Sequence, residues 1–130
     1  MKYTLLLLFK LLVLTALSQS TSPIVIQTKN TSLVFTIGKN HRVYQSYLGS
    51  RLANTEYSTL SGGQEAYLTA GMENLFEPAV RVVHADGNPS LDLTYASHTT
   101  NQQDNVTTTR IILKDPVYPV EVVLQYTAYF

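Results

Sequence analysis

The sequence predicts an all-β protein, an antiparallel β-sandwich that follows an N-terminal signal peptide. Three observations carry this. Apolar and polar residues alternate with period two along most of the chain. The alternating runs are short, rich in β-branched and aromatic residues, and separated by Gly, Asn, Asp and Pro turn signals. No stretch carries a convincing helical repeat, so a βαβ arrangement is not expected.

The first twenty residues read as targeting. Lys2 supplies a positive start, Leu5 to Leu17 form an apolar run broken once by Lys10, and Ser18-Gln19-Ser20 presents the small-x-small pattern of a cleavage site. Cleavage is placed after Ser20, with Ser18 as the fallback. The run is shorter than the roughly 20 apolar residues a span needs, so no membrane span is expected in the mature form. The domain organisation expected is therefore residues 1–20 as signal peptide and 21–130 as one β-sandwich domain, with export to the periplasm or secretion as the location.

Loss of Lys2 and Lys10 leaves seven of the nine basic residues against nine acidic ones, a net charge of −2. That balance argues against nucleic acid as a partner. With no cysteine in the chain, the domain must close its core without disulfides.

Strands are expected at 24–28 and 32–37, the second placing Leu33, Phe35 and Ile37 on one face. Gly38-Lys39-Asn40 is a turn signal. A strand over 42–48 carries apolar residues on both faces, which implies cover on each side. Residues 49–79 hold Gly49, Gly62, Gly63, Gly71 and Pro78 and read as a long irregular connection, with at most one helical turn between Glu73 and Glu77. Alternation resumes over 79–85. Asp86-Gly87-Asn88-Pro89 has the chemistry of a hairpin connection. Strands over 91–98 and 106–114 flank a polar loop at 99–105, and Asp115-Pro116 makes the next break. The longest strand is expected over 120–130, with Val120, Val122, Leu124, Tyr126, Ala128 and Phe130 on one face, and the domain reads as truncated at its C-terminal end.

Few residues point to chemistry. The nine acids are Glu56, Glu65, Glu73, Glu77, Asp86, Asp92, Asp104, Asp115 and Glu121. Most fall in turns or on polar strand faces, where solvation explains them; a glycosidase pair among them would have to be brought together by the fold. His41, His84 and His98 lack ligand spacing, so no metal site is assigned. Ser61-Gly62-Gly63 is not a nucleophile elbow, and no phosphate-binding glycine motif occurs. Nine tyrosines without a tryptophan suit a carbohydrate surface as well as ordinary strand composition. Asn30-Thr31-Ser32 and Asn105-Val106-Thr107 are glycosylation sequons.

Four segments, in order, resemble the N-terminal domain of α-galactosidases of glycoside hydrolase family 36. They are Ser32-Leu33-Val34-Phe35 with Val43-Tyr44 and Tyr47 to Leu52; Gln64-Glu65-Ala66-Tyr67 with Gly71 and Phe76-Glu77-Pro78-Ala79; Asp86-Gly87 with Asp92 to His98; and Val120 to Tyr129. The resemblance implies a partial β-supersandwich beside a catalytic (β/α)8 barrel, and a retaining mechanism run by two aspartates. It implies no cofactor and α-galactoside oligosaccharides as substrates of the missing barrel. Neither aspartate matches any acid here, so no catalytic residue is assigned and substrate-binding residues stay unknown. Some tetrameric members send an aspartate-bearing loop into a neighbouring subunit. Here the corresponding interval, Ala53 to Gly63, is shorter and offers only Glu56 and no Asp, a departure that counts against the loop contact and the tetramer built on it, while a homo-oligomer as such is left open. The alternative is a stand-alone exported carbohydrate-binding or structural β-sandwich.

Overall fold

A computed structural model describes residues 22–71 and 76–130. The signal-peptide segment and Glu73 lie outside the described residues. Among the described residues seven strands form: β1 (Ile24–Gln27), β2 (Thr31–Ile37), β3 (Val43–Ser50), β4 (Gln64–Glu65), β5 (Thr94–Gln103), β6 (Val106–Lys114) and β7 (Glu121–Tyr129). They make two antiparallel sheets, β1-β2-β3-β4 and β5-β6-β7. The all-β antiparallel architecture expected from the pattern is what the chain adopts.

The sheets share a core in which Ile24, Ile26, Phe35 and Val43 of the first meet Ile111, Leu113 and Ala128 of the second, with Leu91 and Leu93 between. The rings of Phe35 and Tyr126 lie 5.1 Å apart across the seam. The alternation read along the last strand holds: Val120, Val122, Leu124, Tyr126 and Ala128 all pack inward. Phe130 does not share that burial, standing 48% exposed just past the strand's end.

The first sheet is also covered on its far side. Ser32 and Val34 point away from the core yet are fully buried. Residues 51–60 fold over that face through a single 3₁₀ turn, Tyr57–Thr59. Ser32 Oγ accepts from the Leu52 N–H at 3.0 Å, the Tyr57 hydroxyl donates to the Leu52 carbonyl at 2.9 Å, and the Gln27 carboxamide contacts the Tyr57 hydroxyl.

Local chemistry accounts for the turns. Between β2 and β3 the Asn40 carboxamide oxygen accepts the Arg42 N–H at 3.2 Å. The left-handed residue is His41, at φ 60°, not a glycine. Gly38 is required there for space, since a Cβ would sit 2.7 Å from the Tyr44 ring. Gly63 is required twice over: its φ is +107° and a Cβ would lie 2.1 Å from the Gln45 carbonyl oxygen. That close approach lets the two-residue β4 pair with β3.

The elements differ from the sequence expectation in several places, and β4 lies inside the 49–79 interval read as irregular. Residues 79–85 form no ladder; Val80 makes one isolated parallel bridge to Thr69. Val80 and Val82 do pack against the core, so the alternation there reports burial and not strand pairing. The segment 91–93 precedes β5 instead of opening it. The polar run 99–105 is strand and turn: β5 continues to Gln103, and Asp104-Asn105 is a two-residue connection with Asp104 at φ 51°. Thr99 to Gln103 form strand because each pairs with β6, which outweighs their modest propensity. That makes β5, at ten residues, longer than β7, at nine. Asp86-Gly87-Asn88-Pro89 does turn the chain, with Gly87 at φ +84°, but joins no ladder strands.

Candidate functional site

The polar side chains that converge do so at the seam where the two sheets meet. Arg42, at the mouth of β3, reaches across it. Its Nη1 lies 2.9 Å from Glu65 Oε1 on β4, and its Nη2 contacts Asp92 Oδ1 just ahead of β5. The Arg42 and Glu65 side chains are only 11% and 15% exposed, while Asp92 is 44% exposed. One guanidinium thus satisfies two carboxylates from distant parts of the chain, a task its fixed fork of donors suits. The Tyr95 N–H donates to the His41 carbonyl at 2.7 Å beside this pair, the backbone counterpart of the same junction.

Asp92 links this pair to a second cluster. Its N–H donates to Asp115 Oδ2 at 2.8 Å, and Asp115 Oδ1 accepts the N–H groups of Val117 and Tyr118, each at 2.8 Å. Burial pushes the Asp115 carboxyl up, but those three N–H bonds and nearby His84 outweigh it and hold the group below its ordinary range. The Tyr118 hydroxyl donates to Asp86 Oδ2 at 2.8 Å and accepts from the Asn88 carboxamide at 2.8 Å. The Asn88 N–H at 3.0 Å, followed by the Tyr118 hydroxyl, keeps the Asp86 carboxyl low, and the same hydroxyl bond raises Tyr118. The His84 ring stacks on Tyr118, centroids 3.4 Å apart at 6°, and His84 Nε2 lies 2.8 Å from the Ser90 carbonyl oxygen. The 84–90 turn and the 115–120 turn are therefore one bonded unit.

This arrangement anchors; it offers no nucleophile with a base beside it. Glu65 and Asp92 are bound to Arg42, and Asp86 and Asp115 accept bonds from backbone and phenol. Glu121 pairs with Lys114 at 3.2 Å on the surface, and Glu56 accepts the Ala53 N–H at 2.6 Å. Glu77 and Asp104 are exposed. His41 and His98 stay apart from His84; His98 Nδ1 lies 2.8 Å from the Tyr95 hydroxyl. Among the described residues no group of His, Cys, Asp and Glu could hold a metal ion, and no helix is long and apolar enough to cross a membrane.

Solvation alone does not describe Glu65, Asp92, Asp86 and Asp115, because each has a defined protein partner, although Asp86 and Asp92 also stay open to solvent. Arg42 and Tyr118 escaped the sequence reading. A partial signal existed for Tyr118, since an Asp heading a Pro-containing turn commonly accepts the next N–H groups. Nothing local marks Arg42, whose partners are 23 and 50 residues away. The tyrosines are largely engaged: Tyr47 donates to the Ser50 carbonyl at 2.9 Å and Tyr44 accepts from Asn40 at 2.8 Å. Among the described tyrosines Tyr129, at 70% exposed, is the open one.

Residues 28–130 match the family described as Glycosyl hydrolase family 36 N-terminal domain. No curated protein sequence matches. Solved structures are similar in fold. The α-galactosidase from Lactobacillus brevis superposes with a TM-score of 0.69 at 20% identity over 86% of this chain. The family 36 α-galactosidase AgaB from Geobacillus stearothermophilus gives 0.71 at 21% over 86%. A variant of AgaA from Geobacillus stearothermophilus, in complex with stachyose, gives 0.69 at 20% over 82%. The chain spans 20% of the length of each of these proteins.

Two outcomes are expected of the anchoring network. Arg42→Ala strands a buried Glu65 and lowers the unfolding free energy by about 3 kcal/mol, whereas Asp92→Asn, at a half-exposed site, costs about 1 kcal/mol or less; chemical denaturation compares them. Asp86 and Asp115 are depressed in the folded state, so the unfolded chain binds more protons in acid. Their stabilisation is complete above about pH 5 and is lost as pH falls through the unfolded and then the lowered folded values. Asp115→Asn flattens that acid limb, read as Tm against pH between about 6 and 2.

Proposed function

The chain belongs to the glycosyl hydrolase family 36 N-terminal domain family, and from that membership we propose that it is the non-catalytic front domain of an exported, retaining α-galactosidase. The match over residues 28–130 carries the reading. The disposition of the acids supports it. Retaining glycoside hydrolysis needs two free carboxyls about 5–5.5 Å apart across the scissile bond. Here the acids that come together neutralise an arginine or cap backbone amides. The chemistry then belongs to a barrel encoded beyond this domain, with α-galactosides of the raffinose and stachyose type as substrates; relatives of the same fold have been solved with both.

In this reading the domain's own work is mechanical. The Arg42 bridge and the paired turns hold the two sheets as one rigid body against which a barrel can pack. The Ala53 to Gly63 interval supports a loop that stays on its own subunit: Tyr57 in it is only 8% exposed and Glu56 bonds back to Ala53. Residues 1–20 direct export and are removed after Ser20.

The product of the longer reading frame is expected to hydrolyse raffinose and an aryl α-galactoside with retention at the anomeric carbon, followed by proton NMR, while the 130-residue chain alone turns over neither. A full-length product inert toward every α-galactoside sinks the assignment. Mass spectrometry of the exported protein is expected to find Thr21 at its N-terminus, and a retained Met1 contradicts export by this route.

A further inference from the structure

The register of the second sheet builds an ordered polar platform on the side facing away from the core. Thr99, Arg110 and Gln125 stand in one cross-strand row, Asn101, Thr108 and Thr127 in the next, and Gln103, Val106 and Tyr129 in the third. Directly opposed residues of an antiparallel pair share a face, and every second residue along a strand returns to it. Strand spacing and rise put the nine positions on a grid of roughly 10 by 14 Å. A groove of about 510 Å³ runs over its β5–β6 part.

Seven of the platform's nine side chains are exposed. Among the described residues, none of these nine side chains has a hydrogen-bond or ion-pair partner, whereas Thr100 and Thr109 on the other face bond each other at 3.1 Å. Three carboxamides and three threonine hydroxyls each carry donors and acceptors. The ladder holds their backbones rigid, so ordering them on a ligand costs little. Tyr129 adds an amphipathic ring that is 70% exposed.

We propose that this face binds a neutral oligosaccharide. Its only cation is Arg110, with Asp104 at the rim, which suits neither a nucleic acid nor an anionic surface. The apolar members of the nine are Val106 and Tyr129 in one corner, and the next row on the same face is the apolar pair Ile112 and Val123; the rows between are polar, whereas a protein interface centres on an apolar core. A ligand rich in hydroxyl groups, each able to donate and accept, complements carboxamides and threonines and offers ring faces to a tyrosine. The site involves no catalysis and stands whether or not the longer protein hydrolyses α-galactosides.

The test titrates the full chain with cellohexaose, maltohexaose and a galactomannan hexasaccharide, each to about 10 mM, a range that detects millimolar binding. Side-chain amide resonances of Asn101, Gln103 and Gln125 are expected to shift with at least one glycan, while Gln102, on the opposite face, stays still. The Asn101→Ala/Gln125→Ala pair is expected to weaken that binding at least tenfold with Tm held within about 2 °C. Three outcomes overturn the proposal: no shift with any of the three glycans, shifts as large at Gln102 as on the platform, or a sedimenting dimer that Asn101→Arg dissolves. The last identifies the face as a protein interface. Hydrolysis by the longer protein is a separate readout, so failure here and failure of the galactosidase assignment are told apart.

Discussion

Arg42 is the constraint around which the rest of the structure is arranged. Two sheets that share an apolar core can slide, because hydrophobic contact is not directional. A guanidinium bonded to Glu65 on one side and Asp92 on the other admits one register. Glu65 places β4 beside β3, and Asp92 sets where the chain enters β5. Burying such a group is not in itself stabilising; its effect is to make misalignment costly, since Arg42 or Glu65 left alone is a poorly solvated charge.

The constraint extends outward through Asp92, whose backbone bonds Asp115 while its carboxylate holds Arg42. Asp115 organises the 115–120 turn, and Tyr118 in that turn reaches Asp86 and stacks on His84. A chain of polar contacts therefore runs from the first sheet to the far turns without using the core. Its members are the carboxyls that could otherwise be suspected of catalysis. The acids of this chain of contacts are committed to geometry.

The quoted family-like segments gain a physical meaning from these contacts. Gln64-Glu65-Ala66-Tyr67 contributes an arginine partner and two residues that pack against the core. Asp92-Leu93-Thr94-Tyr95 contributes the other partner, a buried leucine and the N–H that bonds His41. In this chain those segments are where the two sheets are joined, through a contact between residues 50 positions apart.

By itself the sequence determined the class of structure, the inward face of the last strand and most of the turns. These depend on period-two burial and on the backbone preferences of Gly, Asn, Asp and Pro, which are local. Tertiary structure decided the rest. Whether alternation at 79–85 became a ladder, and whether the polar run at 99–103 became one, depended on the presence of a partner strand. Which acids were solvated and which were bound depended on Arg42 and Tyr118, brought to them by the fold. Pairing and charge neutralisation are relations between distant residues, and no window of sequence contains both members.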